Sequence, residues 1–120
     1  MTQFNFAILY VADVAKSQAF YTDLLARPAL EASPGFAMFE AGPGLRLGLW
    51  RASEVEPKAD RAGGSELCIA VPEAEVEPTA RIWAAKGVAI AQQPTRMDFG
   101  FTFVGLDPDG HRIRVFAPGG

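Results

Sequence analysis

Apolar and polar positions in this chain follow two periods, and the two periods take turns twice. Residues 4–11 alternate loosely and are rich in aromatic and branched side chains, which predicts a strand. Asp13 stands where a helix N-cap belongs. Residues 14–25 then place Ser17, Phe20, Tyr21 and Leu24 along one face of a helix that Arg27-Pro28 ends. Short strands are predicted over 29–33, 36–40 and 45–50. Pro34-Gly35 and Gly42-Pro43-Gly44 make the turns between them. A polar stretch over 52–64, holding Pro57 and Gly63-Gly64, reads as a linker.

The same order then returns. Residues 66–71 read as a strand and 74–86 as a helix capped by Gly87, with Pro78 in its first turn or bending it. Strands follow over 88–92, 99–105 and 112–116, the middle one expected to carry Phe99, Phe101 and Phe103 on one face. Before the last strand comes Asp107-Pro108-Asp109-Gly110, the strongest turn signal in the chain. Gly42-Pro43-Gly44 is its weaker counterpart. Val11 matches Val71 and Asp13 matches Glu73 at one constant offset, the trace of an internal repeat. The expected architecture is α+β: two βαβββ modules, at about 4–51 and 65–118, within a single domain spanning 1–120. Each module is too small to close a core alone.

Composition narrows the function. Of 120 residues, 49% are apolar, enough for one packed domain. A formal net charge of −3 without a basic run argues against nucleic acid. No apolar stretch approaches the roughly 20 residues a membrane helix needs, and the first residues do not resemble a signal peptide. One cysteine, Cys68, excludes an internal disulfide, and cytoplasmic localisation is expected. With His111 its one candidate base, Cys68 is read as an inert thiol rather than a nucleophile.

The repeated βαβββ order, the opening Tyr10-Val11-Ala12-Asp13-Val14 … Ser17 … Phe20-Tyr21 and the closing Asp107-Pro108-Asp109-Gly110-His111-Arg112-Ile113 resemble the vicinal oxygen chelate superfamily. That group includes glyoxalase I, bleomycin-resistance proteins and extradiol dioxygenases. The resemblance implies that the two modules curl their mixed sheets around a cleft and that the protein is a homodimer. Enzymes of the superfamily hold a divalent metal there through four side chains. The matching positions here are Phe6, Gly48, Glu66 and Arg114. A phenyl ring and a glycine do not ligate, and a guanidinium repels a cation. The expectation is no metal, no cofactor and no catalytic residue. A metal-dependent lyase or dioxygenase of the same superfamily is the alternative.

Strand alternation assigns the residues of that cleft. Phe6, Ile8 and Tyr10 share a face on the first strand, as do Arg46, Gly48 and Trp50, then Glu66, Cys68 and Ala70, then Arg112, Arg114 and Phe116. Trp50 offers a flat surface for stacking, and arginine holds carboxylates or stacks on rings. The alternative reading makes these aromatics core and lets Arg114 neutralise Glu66. Within the superfamily the chain is most similar to the phenazine antibiotic resistance proteins. The matching stretches include Leu9-Tyr10-Val11, Leu49-Trp50, Ser65-Glu66-Leu67, Asp98-Phe99-Gly100 and Thr102-Phe103. That similarity implies metal-free sequestration of a planar aromatic antibiotic. Trp50 would be the stacking platform, with Asp98, Phe99, Phe101 and Phe103 bordering the site.

Overall fold

The computed structural model describes residues 5–56 and 65–119. Residues 1–4, 57–64 and 120 lie outside the described residues, and with them the start of the expected first strand and most of the expected linker. The chain divides into two compact units, one ending at residue 62 and the other beginning at 63.

The first unit runs β1 (Phe6–Val11), α1 (Val14–Leu25), β2 (Glu31–Ser33), β3 (Phe36–Gly42) and β4 (Leu45–Arg51). Its sheet has the order β1-β4-β3-β2, with β1 parallel to β4 and the other pairs antiparallel. Helix α1 begins where Asp13 predicts. The carboxylate of Asp13 accepts from the backbone N–H of Lys16 at 3.1 Å, meeting one of the donors that a helix start leaves open. Val14, Ser17 and Tyr21 of α1 are buried, along with Leu9, Val11, Ala37, Phe39, Leu47 and Leu49 of the sheet. The Tyr21 and Phe39 rings lie 6.5 Å apart.

The second unit repeats the order: β5 (Glu66–Ala70), a 3₁₀ turn (Glu73–Glu75), α2 (Val76–Ala85), β6 (Ala89–Met97), β7 (Gly100–Leu106) and β8 (Arg112–Pro118). Its sheet order, β5-β8-β7-β6, copies the first. Pro78 falls in the first turn of α2, where a missing N–H leaves no bond unmade. Trp83 of α2 meets Phe103 edge-on at 5.1 Å. It also lies against Gly105, where a Cβ would come within 2.8 Å of the indole. Gly105 therefore lets the helix seat on β7. Ile113 and Val115 complete this core.

Two strands differ from expectation. β6 runs on to Met97, through Pro94. It is an edge strand, and its register against β7 slips between Gln92 and Thr95, so the proline takes no regular ladder position. β7 starts at Gly100, leaving Phe99 in the preceding turn. The expected shared face of Phe99, Phe101 and Phe103 is thereby broken. Phe103 packs against Trp83, whereas Phe99 stands 6.4 Å from Phe116. Alternation holds only while the chain stays extended.

Candidate functional site

Each sheet has one face packed on its helix and one face turned away from it. In the first unit the pairing register makes the second face a grid. Phe6, Arg46 and Glu40 form one row, Ile8, Gly48 and Met38 the next, and Tyr10, Trp50 and Phe36 the third. Phe6, Ile8 and Tyr10 are 40–46% exposed, a large apolar area for a surface that packs on no helix. At the centre of the grid a Cβ on Gly48 would fall 2.8 Å from the Phe6 ring and 3.0 Å from that of Phe36. The bare backbone of Gly48 thus lets two aromatic rings close over the middle of the sheet. Phe36 and Met38 were not singled out in the sequence. The alternation of 36, 38 and 40 against the buried Ala37 and Phe39 carries their signal.

The corresponding face of the second unit is built around an arginine. Arg114 donates from Nε to Glu66 Oε1 at 3.0 Å and from one terminal nitrogen to Oε2 at 3.2 Å. Its other terminal nitrogen donates to Gln92 Oε1 at 3.2 Å and Thr102 Oγ1 at 3.1 Å. The guanidinium also sits over the Phe99 ring, 5.5 Å from its centroid. Four hydrogen bonds and a ring hold this fork in place. The Glu66 carboxyl titrates below its usual range, first because it accepts from Arg114 and then through the charges of Arg114 and Arg112, with burial opposing. Arg112 stays at the rim, 3.9 Å from Glu66. Gln92 and Thr102 escape sequence reasoning, because only the folded sheet brings them to Arg114.

Of the expected site residues, Phe6, Ile8, Tyr10, Arg46 and Trp50 lie on the first face, and Glu66, Arg114 and Phe116 on the second. Phe99 stands beside Phe116, and Asp98 is exposed in the same turn. Phe101 and Phe103 lie on the helix side instead. Arg96 covers the Phe101 ring at 5.2 Å, and Phe103 is fully buried beneath Trp83.

A family model described as the glyoxalase/bleomycin resistance protein/dioxygenase superfamily matches residues 3–115. The chain belongs to that superfamily. It is 30% identical over 115 residues to the phenazine antibiotic resistance protein EhpR of Enterobacter agglomerans, covering 92% of this chain and 88% of that protein. Among solved structures it is similar to protein ATC0852 from Agrobacterium tumefaciens, at 47% identity and a TM-score of 0.89 over the full length of both chains. A glyoxalase-related enzyme from Fulvimarina pelagi shares the fold at 22% identity and a TM-score of 0.83, covering 98% of this chain and 88% of that one.

The resemblance matches Phe6, Gly48, Glu66 and Arg114 to the metal positions of the superfamily's enzymes. The donors present are a phenyl ring at Phe6, no side chain at Gly48, a carboxylate at Glu66 already spent on a guanidinium, and the guanidinium of Arg114 itself. In neither unit do these side chains fit a divalent cation. Among the described residues no three His, Cys, Asp or Glu side chains gather as a ligand group elsewhere.

His111 belongs to the closing turn. Its Nδ1 lies 2.8 Å from Asp107 Oδ2, while Asp107 Oδ1 accepts from the backbone N–H groups of Asp109 and His111. The His111 pKa is raised, chiefly by the hydrogen bond to Asp107, with burial opposing and the charges of Asp107 and Asp109 adding. A raised folded-state value means that the imidazolium favours the folded protein. This stabilisation is complete below the unfolded value of about 6.5 and is lost as pH rises through the folded value. Urea midpoints of the wild type and His111→Asn, followed from about pH 5 to about pH 9, test this. The wild type is expected to lose stability across neutrality, relative to a flatter variant. Parallel curves would remove His111 as the titrating group.

Proposed function

We propose that this protein is a metal-independent binding protein that sequesters a planar aromatic antibiotic of the phenazine class. Stacking occurs on the first sheet's aromatic face, with Trp50 as the platform and Phe6, Ile8, Tyr10 and Phe36 around it. The observation that carries this reading is the aromatic grid centred on Gly48, on the face of the first sheet that packs on no helix. The similarity to a phenazine antibiotic resistance protein supports the ligand class. On the second face, Glu66, Arg114, Asp98, Phe99 and Phe116 are contacts of the same kind, with Arg114 serving through its stacked plane because its hydrogen bonds are already committed. Phe101 and Phe103 act from the helix side as support. The protein works in the cytoplasm as a homodimer. β1 and β5 end their sheets, and unpaired strand edges favour cover by a second copy.

Calorimetric titration of phenazine-1-carboxylic acid into EDTA-treated protein, with sedimentation of free and loaded protein, tests the reading. Micromolar or tighter binding by a dimer is expected, weakened about tenfold or more by Trp50→Ala. Binding that appears only after a divalent metal is added would favour a metal-dependent lyase or dioxygenase instead.

A further inference from the structure

The two repeats carry the same hollow at the same place, and they differ in one respect. In the first unit an open hollow of about 520 Å³ lies where the parallel pair β1 and β4 begins, lined by Asn5, Phe6, Glu40, Arg46 and the glycines of the Gly42–Gly44 turn. In the second unit a hollow of about 470 Å³ lies where β5 and β8 begin, lined by Ser65, Glu66, Gly110, His111 and Arg112. The register sets Phe6 beside Arg46 in one and Glu66 beside Arg112 in the other. An arginine thus occupies the same position in both.

In the second unit that arginine faces the Glu66 carboxylate, and Arg114 is bound to the same carboxylate. Its positive charge is answered within the protein. In the first unit the partner position is a phenyl ring, and the Arg46 side chain makes no hydrogen bond or ion pair among the described residues. Glu40 stands directly across on β3 and forms no ion pair with Arg46 either. The other described arginines all have a partner. Arg27 donates to a backbone carbonyl, and Arg51, Arg81, Arg96, Arg112 and Arg114 each face a carboxylate. Arg46 is therefore the one described arginine whose side chain has neither a hydrogen bond nor an ion pair. It lies on the same face of β4 as Gly48 and Trp50, about 13 Å along the strand from Trp50.

We propose that Arg46 selects ligands bearing an acidic group, holding a carboxylate in its fork while the aromatic rings of the ligand lie on the Phe6 and Phe36 rings that cover Gly48, toward Trp50. This rests on the proposed binding of planar aromatics and adds the class of substituent that the site requires. A guanidinium suits the role, since its paired N–H groups match the two carboxylate oxygens, and such charge-assisted bonds are stronger than neutral ones. Arg114 is excluded because Glu66 already fills its fork, and the charge of Arg112 is met by the same carboxylate 3.9 Å away.

The test compares phenazine-1-carboxylic acid with unsubstituted phenazine, titrated separately into the wild type, Arg46→Gln and Arg112→Gln. Arg46 is exposed and unpartnered, so its replacement leaves the folded core intact, and a melting curve verifies this. The wild type is expected to favour the acid about tenfold. The ratio should fall to about one in Arg46→Gln, and it should shrink in wild type as salt is raised. Equal wild-type affinity for the two compounds overturns the role of Arg46 and leaves aromatic binding standing. A preference that persists in Arg46→Gln, or that collapses in Arg112→Gln instead, also overturns it. Failure of both compounds to bind removes the phenazine reading and this inference with it.

Discussion

Replacing Phe103 by alanine is expected to lower the unfolding free energy by about 3–5 kcal/mol. The ring is fully buried, edge-on to Trp83, in the core that seats α2 on β7. Removing it takes away the transfer energy of a phenyl group and leaves a hollow that a rigid sheet and the large indole fill poorly. For a chain of this size the melting temperature should fall by roughly 10 °C or more. Phe99→Ala is the informative companion. Phe99 is 42% exposed and lies in a turn, so its loss should cost about 1 kcal/mol or less. Chemical denaturation of both variants distinguishes the two positions. Equal effects would mean that the turn before β7 does not separate them. The contrast matters because Phe99, Phe101 and Phe103 look alike in the sequence, whereas only Phe99 stands beside Arg114.

Replacing Glu66 by alanine should cost about 1–2 kcal/mol. Breaking a well-buried ion pair costs about 3–5 kcal/mol, because the surviving charge is stranded. Partial exposure reduces the figure here, with 30% of the Glu66 side chain and 16% of the Arg114 side chain open to solvent. Gln92 and Thr102 would still hold one end of the guanidinium. Replacing both partners, as Glu66→Leu with Arg114→Met, should recover most of the loss, since no charge is then left unmatched. A pH series adds an independent check. The Glu66 carboxyl has a lowered folded-state pKa, so its contribution is present above the unfolded value near 4.3 and is lost as pH falls through the folded value. The wild type should therefore lose more stability on acidification than Glu66→Ala. A double variant no more stable than the single one would mean that the packing of these side chains, and not their charge, is what the sheet needs.

Helix α1, from its Asp13 cap to Leu25, was legible because a capping residue and a helical stripe are local signals. The repeat was legible for the same reason: turn, strand and helix signals recur in the same order. The faces of β1, β4, β5 and β8 followed from alternation alone, which placed Trp50, Phe6 and Arg46 together on one surface. The expected common face of Phe99, Phe101 and Phe103 failed, because a turn holds Phe99 before β7 begins and alternation no longer constrains its direction.

What the sequence determined by itself, then, is the order of elements, the repeat, the superfamily and which residue types stand where the resemblance puts metal ligands. These depend on short-range patterns and on chemistry that no fold can alter, since phenylalanine and glycine side chains ligate nothing. Only the tertiary structure decided which arginine is committed and which is open. Arg46 and Arg112 are indistinguishable as letters in alternating strands. Strand register puts Glu66 beside Arg112 and within reach of Arg114, brings Gln92 and Thr102 to the same guanidinium from strands β6 and β7, and leaves Arg46 beside a phenyl ring. The availability of a charge is set by its nearest neighbours in space, and for residues on different strands those neighbours exist only once the sheet has formed.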